Sequence, residues 1–274
     1  MNPPDPSRLC IHTMTTKPWS LDEAVEHFSG AGIGGITVWR QHLPDDIAAA
    51  GRRIRDAGLR CVSLCRGGFF PAVRESDRGK AIDDNLRAID QAHALGTDLI
   101  VLVCGAVPGL PLAESRRHIA DGIAAVLPRA VEAGVRLAIE PLHPVYAADR
   151  SAINTMAQAN DLCDQLGSPD HLGIALDVYH VWWDSDLPAQ IERAAGGGRL
   201  HAFHVCDWKT EPADMLNDRG LMGEGVIDIR SIRRMVEQAG FTGAIEVEIF
   251  SDRYWAMDQH HYLGKILQAC REHV

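Results

Sequence analysis

Several large classes of protein are excluded by what this sequence lacks. No basic block offsets the net charge of −10, so nucleic acid is not expected as a partner. The overall charge still allows a local basic pocket for an anionic substrate. No apolar run approaches the ~18 residues of a membrane span, so no membrane partner is expected. The start, Met1-Asn2-Pro3-Pro4-Asp5-Pro6, has neither a basic segment nor an apolar core of the secretory type. Residues 1–7 are expected to form a flexible tail. The seven cysteines are scattered and none forms a Cys-x-x-Cys pair, so the cysteines give no support for a thiolate zinc site or a dithiol redox centre. Free buried thiols in a cytoplasmic protein are expected instead. Gly67-Gly68 and Gly196-Gly197-Gly198 lack the spacing of a dinucleotide-binding turn, so no nucleotide cofactor is expected.

What the chain does have is rhythm. Short β-type runs alternate with longer helical patterns. The runs are Leu9–Thr13, Ile36–Trp39, Arg60–Cys65, Leu99–Cys104, Arg136–Glu140, Ile174–Val178, Leu200–Val205 and Ala244–Phe250. One helical pattern starts at Leu21, and others fall near 44–57, 77–95, 112–133, 152–166, 187–194, 229–239 and 254–270. Ser20 and Glu23 have capping-box spacing, in which each side chain satisfies an amide at the helix start. Gly58, Gly96, Gly134 and Gly240 sit where helices should end. Strands alternating with helices imply parallel βαβ units. Eight such units in 274 residues favour a single-domain α/β fold, a closed (β/α)8 TIM barrel over residues 1–274, since such barrels run to ~250 residues.

Four runs share an ending. Ala138-Ile139-Glu140, Ala175-Leu176-Asp177, Ala202-Phe203-His204 and Glu246-Val247-Glu248 each finish on a metal-ligand residue type. Strand side chains alternate between faces. If the apolar set faces the helices, Glu140, Asp177, His204 and Glu248 face the barrel interior at its C-terminal mouth, where barrel active sites lie. Alanine lies one layer below in three of the four strands. Three carboxylates brought together would repel one another without a cation. Three oxygens and one imidazole suit one divalent ion, Mn²⁺ first, with Mg²⁺, Co²⁺ or Zn²⁺ as alternatives. Glu246 shares a face with Glu248 and needs a buried partner, which parity does not name. His12, at the end of the first strand, has no assigned role.

The chain resembles the xylose isomerase-like barrels of the sugar phosphate isomerase/epimerase superfamily, which includes ketose 3-epimerases and inosose-processing enzymes. The resemblance spans nearly the whole chain. It is carried most specifically by Ile139-Glu140-Pro141, Leu176-Asp177-Val178-Tyr179-His180, His201-Ala202-Phe203-His204-Val205-Cys206-Asp207, Gly223-Glu224-Gly225 and Gly240-Phe241-Thr242-Gly243. It implies that Glu140, Asp177, His204 and Glu248 bind the metal. It also implies that Glu140 and Glu248, on opposite sides of the substrate, remove and return a proton beside a carbonyl through an enediolate. Related apurinic endonucleases hold three metals with extra histidines after strands two and three. Trp39 and Cys65-Arg66 stand there instead, which favours one metal.

The function expected is therefore a metal-dependent isomerase or epimerase acting on a small sugar or polyol. His143 supports an alternative, because a superfamily branch that cleaves 3-oxo-glycosides, including C-glycosides, uses a histidine in a similar Glu-Pro-x-His arrangement as base. That lyase reading makes His143 catalytic. A non-enzymatic alternative is a metal-stabilised sugar-binding barrel. His180, Arg66, Lys209 and Trp39 are candidate substrate contacts. Trp39, Trp182, Trp183 and Trp208 are expected near the barrel mouth, as walls for a sugar ring or as contacts to a second copy or a partner subunit.

Overall fold

The computed structural model describes residues 2–167 and 170–274. Eight strands follow in chain order: β1 Leu9–His12, β2 Gly35–Trp39, β3 Arg60–Gly68, β4 Leu99–Val103, β5 Arg136–Glu140, β6 Leu172–Asp177, β7 Leu200–Val205 and β8 Ile245–Val247. Each runs parallel to its neighbours, and β8 pairs with β1, closing the barrel. The helices between them are α1 Leu21–Gly30, α2 Ile47–Asp56, α3 Glu75–Leu95, α4 Leu112–Ala133, α5 Met156–Gln165, α6 Val178–Val181, α7 Leu187–Gly196, α8 Ile229–Gln238, α9 Asp252–Trp255 and α10 Gln259–His273. Closure removes every sheet edge, and the helices cover the outer face.

The barrel separates two apolar cores. The larger lies between strands and helices and takes Leu137, Ile139, Ile174, Leu176, Phe203, Val205, Ile245 and Val247. The smaller lies inside the barrel and takes Val101, Ala138, Ala175 and Ala202 below Cys65, Trp39 and Phe250. This is the two-faced alternation expected from strand parity. The three alanines are fully buried, and their small side chains leave the mouth open above them.

Local chemistry sets the element ends. Ser20 and Glu23 form the expected capping box at α1. Gly96 and Gly134 end α3 and α4 with φ of 85° and 68°, a left-handed turn that glycine adopts without a Cβ clash. Other boundaries differ from expectation. The helix expected from Pro44 starts at Ile47, because the Asp46 carboxylate caps it by accepting from the Ala49 amide at 2.9 Å. The helix expected from Ala152 starts at Met156, capped by Thr155, because the Ala152 amide is already given to the Gly105 carbonyl. β8 stops at Val247 because the Ile249 amide goes to Thr15 Oγ1 and the Phe250 carbonyl to Arg219. The last helix is two, restarted where Asp258 caps α10.

β3 runs past Cys65 to Gly68. Its pairing with β4 slips between Cys65 and Gly67, leaving Arg66 as an extra residue in the ladder. Such a bulge re-aims one side chain at a barrel rim. At the other end of the barrel, residues 5–8 are tied to the body. Pro6–Arg8 is a 3-10 turn, the Pro6 carbonyl accepts from Gly34, and Arg8 pairs with Glu237 at 2.7 Å. Met1 lies outside the described residues. All seven cysteines are free thiols, and burial pushes Cys104 and Cys206, among others, well above the usual thiol range.

α2 packs on the end of α3 through Gly51, where a Cβ would stand 2.0 Å from the Leu95 carbonyl oxygen. Alanine at position 51 would gain about 1 kcal/mol of helix propensity but add about 2–3 kcal/mol of overpacking strain against backbone. Gly51→Ala is therefore expected to lower the urea midpoint; a raised midpoint would show that the α2–α3 contact yields freely.

Candidate active site

A cavity of roughly 450 Å³ opens at the C-terminal ends of the strands. Trp39 and Phe250 wall one side with rings 5.2 Å apart, while Glu140, Glu248, His180 and Arg219 are also among its lining residues. The four ligand-type residues expected from the strand ends meet at this end of the barrel, Glu140 and Glu248 lining the cavity and Asp177 and His204 fully buried beside them. Glu140 ends β5, Asp177 ends β6, His204 is one residue short of the end of β7, and Glu248 follows β8. One donor atom from each lies within 4.8 Å of all the others, and all four residues are buried.

Their charge is balanced by groups that face them directly. Arg219 Nη1 donates to Asp177 Oδ2 at 3.1 Å and to Glu248 Oε2 at 2.9 Å. Its guanidinium also lies 4.3 Å from the Tyr179 ring centroid and 5.0 Å from that of Phe250. His204 Nδ1 lies 3.1 Å from Glu140 Oε1. Burial pushes the Asp177 carboxyl up, to about 7, against the attraction of Arg219. Burial would raise Glu248 too, but the His12 charge and hydrogen bond, with Arg219, hold it well below the usual carboxylate range. Burial would pull His204 down, but the Glu246 charge and the Glu140 hydrogen bond raise it to about 9.

A second polar layer lies below, and it accounts for the two residues without expected roles. Glu246 Oε2 accepts from Thr37 Oγ1 at 2.6 Å and lies 3.2 Å from His12 Nε2. His12 Nδ1 lies 3.1 Å from Glu248 Oε1, and Trp39 Nε1 lies 3.2 Å from the same nitrogen. His12 thus spans the two acids of strand eight. Burial would lower its pKa, but Glu248 and Glu246 together lift it to about 9. No sequence spacing signals this contact, because the partners are 234 residues apart.

Arg219 is a site residue that sequence reasoning missed, as are the cavity-lining Arg150 and Phe250. Arg219 lies in the long segment after β7, which has no periodicity to orient it. Two antiparallel bridges, Asp207 with Gly220 and Asp218 with Ser251, hold it on either side. Asp207 also accepts from the amides of Trp208, Gly223 and Ile227, pinning both ends of the segment. Glu224 braces the same segment by accepting from the Leu221 amide and the Tyr254 hydroxyl.

The four candidate substrate contacts separate. Trp39, Arg66 and His180 line the cavity. His180 Nδ1 lies 3.2 Å from the His143 amide, and its Nε2 lies 3.4 Å from Arg219 Nη2. Burial and the Arg219 charge hold His180 well below its usual range, so it is neutral. Lys209 instead pairs with Asp218 and is not among the lining residues. His143 is also outside the lining. Its Nδ1 accepts from the Val145 amide, and its ring lies 4.6 Å from that of Trp208. Trp182, Trp183 and Trp208 gather around His143 and Tyr179, away from Trp39.

The donor set fits a divalent cation. Three carboxylates and an imidazole converge, and buried His204 Nε2 has no hydrogen-bond partner among the described residues, 3.8 Å from Glu246 Oε2. With Nδ1 turned to the ligand carboxylates, 3.1 Å from Glu140 Oε1, Nε2 faces the Glu246 carboxylate, the side from which an acid can support a metal-bound imidazole.

A solved structure, protein SMc04130 from Sinorhizobium meliloti 1021, is 48% identical, with a TM-score of 0.93 over 97% of this chain and 98% of that one. The 3-dehydroshikimate dehydratase of Pseudomonas aeruginosa is 27% identical over 86% of this chain, which spans only 37% of that protein's length. The L-ribulose-5-phosphate 3-epimerase UlaE of Shigella boydii is 29% identical over 73% of this chain and 68% of its own. The family model described as xylose isomerase-like TIM barrel matches residues 8–273, and the chain belongs to that family.

Proposed function

We propose that this chain is a divalent-metal-dependent isomerase or epimerase of a keto sugar, inosose or related polyol. The observation that carries this reading is the convergence of Glu140, Asp177, His204 and Glu248 within 4.8 Å, with Glu140 and Glu248 lining a cavity walled by Trp39 and Phe250. These four side chains would hold the ion, with Mn²⁺ the first candidate. When bound, it would supply Lewis acidity that polarises a carbonyl and acidifies the neighbouring C–H.

The chain's own groups supply the proton chemistry. Glu140 lines the cavity, and among the described residues its Oε1 is engaged by His204 and its Oε2 by none. The second oxygen is free to accept a proton from substrate carbon. Glu248 carries the other carboxylate, oriented from behind by His12 and from the side by Arg219. A proton removed by one and returned by the other inverts a stereocentre; return to the adjacent carbon moves the carbonyl. The Arg219 guanidinium lines the cavity beside Asp177 and Glu248, where its positive charge would stabilise an oxygen that becomes negative during enolisation. Such groups are most effective in a buried site, where water does not screen them. The Trp39 and Phe250 rings give the sugar an apolar face to lie against. The lyase alternative needs His143 as base; that its Nδ1 accepts from the Val145 amide and that it is not among the cavity-lining residues supports the isomerase reading over it.

Deuterium uptake from D₂O into keto sugars should appear with Mn²⁺ and fall by about 10²–10⁴ in Glu140→Gln and in Glu248→Gln. Tight sugar binding without exchange at any metal would favour the binding-barrel alternative. Chelation should abolish exchange and metal should restore it. Glu246→Gln, which removes no ligand, is expected to weaken metal affinity by about 10–100-fold, measured by calorimetry; unchanged affinity would remove Glu246 from behind His204. His143→Ala should keep exchange within about threefold of wild type, whereas a general base contributes ~10²–10⁴; loss on that scale, or loss of aglycone release from a 3-oxo-glycoside, would restore the lyase reading.

A further inference from the structure

Four arginines line the cavity: Arg40, Arg66, Arg150 and Arg219. Two are neutralised. Arg40 grips Asp84 with both terminal nitrogens, at 2.7 and 3.0 Å, and Arg219 is shared by Asp177 and Glu248. Arg66 and Arg150 have no carboxylate within ion-pair distance among the described residues. Their contacts are aromatic: Arg66 lies 4.0 Å from the Phe69 ring centroid and Arg150 lies 5.9 Å from that of Tyr146. The Asp84 carboxylate beside them is already occupied by Arg40 and Arg87.

Both cations are placed by rigid backbone. Arg66 is the bulged residue between β3 and β4. Buried Asn85 clamps the turn beyond it, accepting from the Gly68 amide at 2.6 Å and donating to the Gly68 carbonyl at 2.8 Å. Arg150 precedes Ser151, which is fully buried and bridges to Gly105 across the barrel rim. Burial and the charges of Arg150 and Arg40 all lower the Arg66 pKa, so these cations sense one another. Such a pair is unfavourable in a half-buried pocket unless an anion joins it. The chain is otherwise acidic, with 27 basic against 37 acidic residues, so the basic rim is not a by-product of composition. The cavity is bipolar: carboxylates at the floor, unpaired guanidinium groups at the rim.

We infer that the substrate carries an oxyanion, a phosphate ester or a carboxylate, seated between Arg66 and Arg150 at the end remote from the reacting carbon. This rests on taking the cavity as the substrate site of a sugar isomerase or epimerase. Two guanidinium groups suit such an anion because their planar N–H pairs match its oxygens.

Calorimetry of the metal-free protein at low salt, with inorganic phosphate and acetate titrated separately, tests the site without turnover. The expected result is one site, weakened about tenfold or more by Arg66→Gln and by Arg150→Gln and partly restored by Arg66→Lys. The tighter of the two anions identifies the group. Equal binding by all variants, each first checked by circular dichroism for an unchanged melting point, overturns the proposal. In turnover, a keto sugar is compared with its terminal phosphate and with the matching keto sugar acid. The preference of kcat/KM for an anionic over the neutral substrate should fall at least about tenfold in Arg66→Gln. Wild-type indifference to the charge also overturns it. Absence of all exchange, with phosphate binding still lost in the variants, would sink the isomerase reading and leave the anion subsite standing.

Discussion

Four carboxylates, Glu140, Asp177, Glu246 and Glu248, are buried together at one end of this barrel, and the site is built around keeping them there. Removing each from water costs several kcal/mol unless opposite charge and hydrogen bonds replace the solvent. The replacement comes from Arg219, His12 and His204, each drawn from a different part of the chain. None of the three could be lost without leaving a buried acid uncompensated. A divalent ion fits the same electrostatic need, because it brings positive charge to the point where the ligand atoms converge.

The barrel makes this possible through layering. Alanines below the ligand layer keep the mouth wide, while the apolar residues of the same strands fill the outer core. Below the mouth, Glu246, His12 and Thr37 form a support whose polar atoms bond to one another. Above it, irregular segments bring the groups that meet substrate. Arg219 comes on a segment stitched by Asp207, and Arg66 on a bulge braced by Asn85. Rigid supports of this kind hold charged groups in place before substrate arrives, so reorganisation during reaction is small.

Parts of this were legible in the chain because they follow from short-range rules. Strand parity placed Glu140, Asp177, His204 and Glu248 on one face, since alternation fixes which side chains share an interior. The Ser20–Glu23 cap and the glycine helix ends depend on neighbours a few residues away. Other parts were not legible. Lys209 was a candidate substrate contact from its place after strand seven, but it pairs with Asp218. His143 sits three residues after Glu140, yet Pro141 has ended the strand and alternation no longer says where it points. Arg150 has no pattern that sets it apart from surface arginines.

The sequence by itself determined the barrel, the order of its strands and the four side chains that converge at its mouth, because periodicity and parity are local properties. Only the tertiary structure decided what neutralises those side chains. His12 lies 234 residues from Glu246, and Arg219 lies 42 from Asp177 and 29 from Glu248. Electrostatic compensation depends on distance through space, and in a closed barrel the first strand is as close to the last as to the second.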